Sequence, residues 1–201
     1  NIHTFNLLRK QIDILILDVR SKRLFSEGHI PGSLFIGLEG MFAPWAGTLI
    51  EDVNQKIIIV SSKGKEEEAI SRLSRVGFDN VIGFLDGGFD KWANSSGKIK
   101  KIKCISAEEF VNKTGVLRRD VFDVRNEDEF KVGHFPGARS APLKNIDKDI
   151  SELREDSTFY IYCKSGYRSV IASSIINKAN NFELINIEGG YDMIEKFNFS
   201  S

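Results

Sequence analysis

The run Cys163-Lys164-Ser165-Gly166-Tyr167-Arg168-Ser169 holds the residues best suited to chemistry. Cysteine reacts as its thiolate, and a thiolate is favoured where backbone N–H groups and the positive end of a helix converge. Gly166 permits dihedrals that aim successive N–H groups inward as an anion-holding nest. Arg168 adds a permanent positive charge, and with Lys164 it would draw in an anionic substrate. Ser165 and Ser169 can donate hydrogen bonds to such a substrate, and Tyr167 completes the loop. A free cysteine is commonly no more than a small buried residue, but a core position does not call for Lys-Ser-Gly-Tyr-Arg behind it. The pattern points to an activated nucleophile, Cys163, with Arg168 beside it.

Such a loop needs a strand before it and a helix after it. Residues 159–162, Phe-Tyr-Ile-Tyr, are apolar and aromatic and read as a buried strand. Beyond the loop Val170, Ile171, Ser174, Ile175 and Ala179 recur at helical spacing, so a helix is expected over 168–180. Cys163 then sits at the C-terminal end of a strand, where ligands bind in open α/β sheets.

Composition narrows the partners. The chain has 201 residues, 41% hydrophobic and 28% charged, with Lys plus Arg (28) balancing Asp plus Glu (28). A globular chain of that balance has no basic excess for nucleic acid or an anionic membrane. No apolar run approaches the length of a membrane span, and Asn1-Ile2-His3-Thr4 does not read as a secretory leader. The first residue is Asn rather than Met, which suggests processing or a piece of a longer chain. Cys104 and Cys163 lie in unlike contexts, so a disulfide is not expected and a reducing, cytoplasmic setting is. His3, His29 and His134, with no carboxylate cluster near them in sequence, offer no metal site. Nothing in the pattern calls for a cofactor.

The chain also repeats itself. Leu17-Asp18-Val19-Arg20 returns as Phe122-Asp123-Val124-Arg125, Phe25 as Phe130, Gly28-His29-Ile30-Pro31-Gly32 as Gly133-His134-Phe135-Pro136-Gly137, and Leu38 as Leu143, all at a spacing of 105 residues. Gly64 returns as Gly166 and Gly87-Gly88-Phe89-Asp90 as Gly189-Gly190-Tyr191-Asp192, at a spacing of 102. A unit of about a hundred residues is a domain rather than a solenoid repeat. The polar stretch Asn94-Ser95-Ser96-Gly97-Lys98 marks the boundary, placing a first domain at 1–98 and a second at 99–201. Apolar strand 102–105 then reopens the pattern, and Ser106-Ala107-Glu108-Glu109 reads as a capping box. In the first unit we expect strands at 14–19, 57–60 and 81–84, a helix at 66–76 and the start of another at 89–93. In the second we expect strands at 121–124, 159–162 and 184–187. Strands alternating with helices predict an α/β fold, a mainly parallel sheet with helices on both faces.

Asp123-Val124-Arg125, Gly133-His134-Phe135-Pro136-Gly137-Ala138, Cys163 to Ser169, and Glu188-Gly189-Gly190-Tyr191 together resemble a rhodanese domain, and the first half resembles a second one in tandem. The resemblance covers nearly the whole chain. It implies two five-stranded domains and a sulfurtransferase that carries sulfane sulfur from thiosulfate or a persulfide to a thiol or cyanide acceptor, as a persulfide on Cys163. The small partners would be an anionic sulfur donor and a thiol acceptor. Lys164, Ser165, Gly166, Tyr167 and Ser169 would form the substrate loop. Asp123 and Arg125 would support it, Arg125 through an ion pair with Glu129. His134 returns as His29 in the half without the cysteine, which argues for packing or hydrogen bonding rather than general-base work. Cys104 reads as a small apolar core residue.

The first half departs from the pattern where the chemistry should be. Alignment on Gly64 puts Ser61 at the place of Cys163 and Glu66 at that of Arg168, with Glu67 and Glu68 behind it. This resembles an inactive repeat. The aromatic stretch 42–50, Phe-Ala-Pro-Trp-Ala-Gly-Thr-Leu-Ile, would pack over the loop or meet a partner. It is similar to segments of rhodanese repeats fused behind a metallo-β-lactamase-fold domain, which makes an upstream domain of that kind an expectation. Two other readings compete. One is a non-catalytic sulfur-carrier or regulatory module of a larger protein. The other is a phosphatase of the cysteine/arginine-loop type, disfavoured because four residues separate Cys163 from Arg168, where the phosphatases of this type have five.

Overall fold

The computed structural model describes residues 1–114, 120–149, 158–179 and 183–197. The chain divides into two compact units, Asn1–Lys101 and Ile102–Ser201. Residues just past the polar stretch stay with the first unit because His29 and Lys100 exchange backbone hydrogen bonds of 2.9 and 3.0 Å.

The first unit runs α1 (Ile2–Leu8), β1 (Ile14–Asp18), α2 (Lys22–Glu27), β2 (Leu34–Phe35), α3 (Phe42–Leu49), β3 (Lys56–Val60), α4 (Glu66–Ser74), β4 (Val81–Phe84) and α5 (Gly88–Ala93). The second runs β5 (Lys103–Ile105), α6 (Ala107–Thr114), β6 (Val121–Asp123), α7 (Glu127–Val132), β7 (Arg139–Ser140), a 3-10 turn (Leu143–Asn145), α8 (Ile146–Asp149), β8 (Thr158–Tyr162), α9 (Tyr167–Ala179), β9 (Glu183–Ile187) and α10 (Tyr191–Ile194). Asn180, the end of the helix expected over 168–180, lies outside the described residues.

Both sheets are parallel. Their strand orders are β2-β1-β3-β4 and β5-β9-β8-β6-β7. The central strands β3 and β8 are near-continuous apolar runs, as strands covered on both faces must be. Five strands were expected in each unit, and the first has four. The extra strand of the second sheet, β5, precedes α6 and pairs with β9. In the first sheet β4 lies at the edge.

Short polar side chains set the helix starts. Ser21 Oγ accepts from Leu24 N–H ahead of α2, and Ser106 Oγ accepts from Glu109 N–H ahead of α6. The aromatic stretch 42–50 folds as a helix over Phe42–Leu49. It is α3, with Phe42 and Ala46 fully buried in its own unit and the Arg72 guanidinium 5.3 Å from the Phe42 ring. Each core is aromatic and β-branched. Phe5 meets Trp92 edge-on at 5.8 Å beside Ile16, Ile58 and Val60. In the second unit Phe110 lies against Phe135 and Tyr160, at 4.8 and 5.2 Å. No helix among the described residues is long and apolar enough to cross a membrane.

Candidate active site

β8 delivers Cys163 to the end of the second sheet, where its side chain is 1% exposed. The turn is closed by Gly166, whose φ of +94° favours glycine. Its N–H points at Cys163 Sγ over 3.1 Å. A second turn braces the loop from behind: Tyr191 N–H donates to Cys163 O at 2.7 Å and Asp192 N–H to Lys164 O at 3.0 Å. That contact explains the double glycine. Gly190 has φ +59°, and a Cβ there would fall 2.2 Å from Cys163 O. Lys164 and Ser165 face solvent, while Ser169 is fully buried and its Oγ finds no hydrogen-bond partner among the described residues. The seven residues singled out from the sequence thus form one strand-end loop and the first turn of α9.

Arg168 is not a free cation. Its Nη1 and Nη2 donate to both oxygens of Glu129, at 2.6 and 2.8 Å, a bidentate pair with the side chains 17% and 31% exposed. Glu129 also accepts from Asn126 N–H at 3.1 Å, so one carboxylate caps α7 and holds the start of α9. The Arg168 hydrogen bond draws the Glu129 carboxyl down from 4.5 to about 2.

This corrects the expected Arg125–Glu129 pair. Arg125 is clamped instead by Asp123, two residues back: Nε to Oδ1 at 3.0 Å and Nη2 to Oδ2 at 2.6 Å. Its Nη2 also donates to Gly133 O at 2.6 Å, and its guanidinium lies 4.0 Å from the Tyr191 ring. Asp123 is wholly buried, and a buried carboxylate needs such a partner. The pair ties together the end of β6, the turn after α7 and the turn that braces the cysteine loop. Tyr162 OH accepts from Phe135 N–H at 3.1 Å, and burial pushes its phenol well above the usual tyrosine range. His134 stacks on Phe130 at 3.8 Å with Nδ1 2.9 Å from Phe130 O, a packing and hydrogen-bonding position. Cys104 is half-buried on the edge strand β5, 3.6 Å from Ile102 O and 3.8 Å from Asn186 Nδ2, and is not a core residue.

The first unit repeats this frame. Arg20 is clamped by Asp18 (Nη2 to Oδ2 2.6 Å), donates to Gly28 O at 2.8 Å and lies 4.2 Å from the Phe89 ring. His29 stacks on Phe25 at 4.0 Å with Nδ1 3.0 Å from Phe25 O. Ser61 stands at the end of β3 and Gly64 keeps a positive φ of +81°. The ion pair is missing: Leu24 occupies the Glu129 position and Glu66 the Arg168 position, and both line the same cleft. The sequence held a signal for the Arg168–Glu129 pair that the reading passed over: the two members change together between the repeats.

Comparison with known proteins agrees with this architecture. The rhodanese-like domain family matches residues 3–95 and 106–196. The thiosulfate sulfurtransferase GlpE of Pseudoalteromonas translucida is 36% identical over 91 residues, 44% of this chain and 81% of its own length. The putative sulfur carrier protein YrkF of Bacillus subtilis is 34% identical over 107 residues, 53% of this chain and 57% of its own. The crystal structure of a rhodanese-like domain protein from Staphylococcus aureus is 27% identical, covering 50% of this chain and all of that one, with a TM-score of 0.43. The repeat, the two parallel sheets and the family match over both units lead to one conclusion: the chain belongs to the rhodanese family, as two rhodanese-like domains in tandem.

Proposed function

We propose that the chain is a sulfurtransferase in which Cys163 takes sulfane sulfur from thiosulfate or a persulfide and passes it to a thiol or cyanide. The observation that carries this reading is the Gly166 N–H directed at Cys163 Sγ across a 3.1 Å gap. A donor that lies over this loop amide finds the nucleophile and a hydrogen-bond donor for the incoming sulfur in one place.

With thiosulfate the step balances simply. The Cys163 thiolate attacks the outer sulfur, a new S–S bond forms, the thiosulfate S–S bond breaks, and sulfite leaves with the electron pair. The acceptor thiolate then attacks the outer sulfur of Cys163–S–S⁻, leaves as a persulfide, and regenerates the thiolate. Lys164, exposed at the rim, steers the anionic donor. Arg168 acts as a positioning residue: pinned by Glu129, it fixes the first turn of α9 and so the nest. The Asp123–Arg125 pair fixes the frame beneath.

The first unit is read as non-catalytic, with serine at the nucleophile position and no arginine behind it. The sulfur-carrier alternative keeps the Cys163 persulfide but hands it to a partner protein. Mass spectrometry after exposure to thiosulfate tests the shared step: nucleophilic catalysis predicts a gain of about 32 Da on the peptide containing Cys163 and none on that containing Cys104. Absence of the adduct under conditions that load a competent rhodanese would end both versions.

A further inference from the structure

We infer that the first unit is itself a binding module, with a cleft built for a small organic cation of the primary alkylammonium type. The cleft has a volume of about 520 Å3 and lies at the end of β3, in the place that the cysteine loop takes in the second unit. That size suits a small molecule.

Its base is Ser61. The residue is 4% exposed and borders the cleft, and its hydroxyl makes no hydrogen bond to any described residue. Unlike Ser169 Oγ, this hydroxyl is not sealed off, so it opens on the cleft and can meet a ligand there. Serine can accept an N–H through either lone pair.

The walls choose the sign of the ligand. Glu66, Asp86 and Asp90 line the cleft, and none of the three carboxylates forms an ion pair among the described residues. The positive groups there are Lys63 and Arg20, and the charge of Arg20 is already taken by Asp18. The remaining balance is three carboxylates against one lysine, which repels thiosulfate and attracts a cation. Among the described residues no three His, Cys, Asp or Glu side chains converge closely enough to hold a metal ion. The charge is therefore spread, as an organic cation with a body of its own requires. Phe84, 47% exposed on the cleft wall, offers an apolar and π-face surface to an alkyl stem. In the second unit the residue at that position is Asn186, and Arg168 stands where Glu66 stands here. The aromatic wall and the extra carboxylate therefore belong to the first unit alone.

The test is a titration of the intact chain with n-butylammonium chloride, followed through backbone amide resonances. Saturable shifts are expected in residues 61–66 and 84–90. Glu66→Gln should weaken binding about tenfold and Phe84→Ala about threefold, the scale expected for one partly exposed charge and one ring contact. n-Butanol and sodium thiosulfate should give no saturating shifts in these residues. Non-saturating behaviour with n-butylammonium, equal binding of n-butanol, saturation by thiosulfate, or an unchanged affinity in Glu66→Gln would each overturn the proposal.

Discussion

Arg20 and Arg125 do the same work in the two units. Each is clamped by the aspartate two residues before it, donates to the glycine carbonyl ahead of the histidine, and lies against the aromatic ring that follows the double glycine. Above that shared frame the units part. The second has cysteine at the strand end, and an arginine held by a glutamate behind it. The first has serine, and a glutamate with a leucine where the arginine's partner would be. The comparison separates what the fold requires from what the chemistry requires. Asp-x-Arg, Gly-His and Gly-Gly are fold residues, because both units keep them. Cys163 and the Arg168–Glu129 pair are candidates for chemistry, because only one unit does. Glutamate at a helix start needs no partner, since its charge offsets the helix dipole. Arginine at the same place is opposed by that dipole and needs Glu129.

The largest effect should come from the nucleophile. Cys163→Ala should lower thiocyanate formation from thiosulfate and cyanide by about a thousandfold or more, the scale on which loss of a covalent nucleophile is felt. Cys104→Ala should stay within about twofold. A Cys163→Ala protein retaining most of its activity would erase the functional difference between the units.

The pair comes next. Glu129→Leu installs the first-unit residue, leaving Arg168 without its carboxylate at the dipole's positive end. We expect a fall of about a hundredfold in kcat/KM for thiosulfate. Arg168→Ala should cost a similar amount, and the double variant little more than either, since the two act as one unit. Additive losses would mean that Arg168 works on the donor directly and that Glu129 does not position it.

Much of the frame was legible in the sequence because it repeats, and two copies of Asp-x-Arg and Gly-His-x-Pro-Gly fix register better than any single motif. The loop was legible because a strand-like run ends on its cysteine. The partner of Arg125 was not legible, because Glu129, four residues forward, is as plausible a counter-ion by spacing as Asp123. The clamp runs two residues back, where the turn after the strand folds the guanidinium over Asp123. The helix α3 was missed because Pro44 and Gly47 suggested turns. In the structure Pro44 sits in the helix's first turn, where its missing N–H costs nothing. β2 and β7 are two residues each, too short for any periodicity to show.

Acid should separate the two units by a smaller margin. Burial lowers His29 from 6.5 to about 4, so between those values the unfolded chain binds a proton that the folded first unit refuses. Its contribution is complete above pH 6.5, lost as pH falls towards 4, and constant below. Glu129 is drawn from 4.5 to about 2, so its contribution in the second unit is lost only between those values. Hydrogen exchange of β1 and β3 should weaken first, by about 3 kcal/mol over the whole window attributable to His29. The difference between native protein and His29→Gln isolates that part. Simultaneous loss of protection in both units would refute the distinction.

The smallest effect is the most discriminating, because it tries to turn one unit into the other. In a Cys163→Ala background, Ser61→Cys restores the nucleophile in a loop that keeps its glycine turn, φ +81° against +94°. The cysteine should still react slowly. Relative to the second unit, the pair Leu24 and Glu66 leaves one net negative charge where Glu129 and Arg168 sum to zero. One charge at about 6 Å and an effective dielectric near 20 is worth about 2–3 kcal/mol before screening. Glu66 is partly exposed, so an effect of about fivefold on alkylation is the realistic scale. Adding Glu66→Arg should give the fastest reaction with iodoacetate, since it swings the local charge by two. Adding Leu24→Glu as well should slow iodoacetate again while raising sulfur uptake from thiosulfate, because the arginine is then held in place. Opposite movement of the two rates on that last substitution is the signature of a positioning pair. If both rates simply follow net charge, Glu129 matters only as a counter-charge, and the geometry of the loop owes nothing to it.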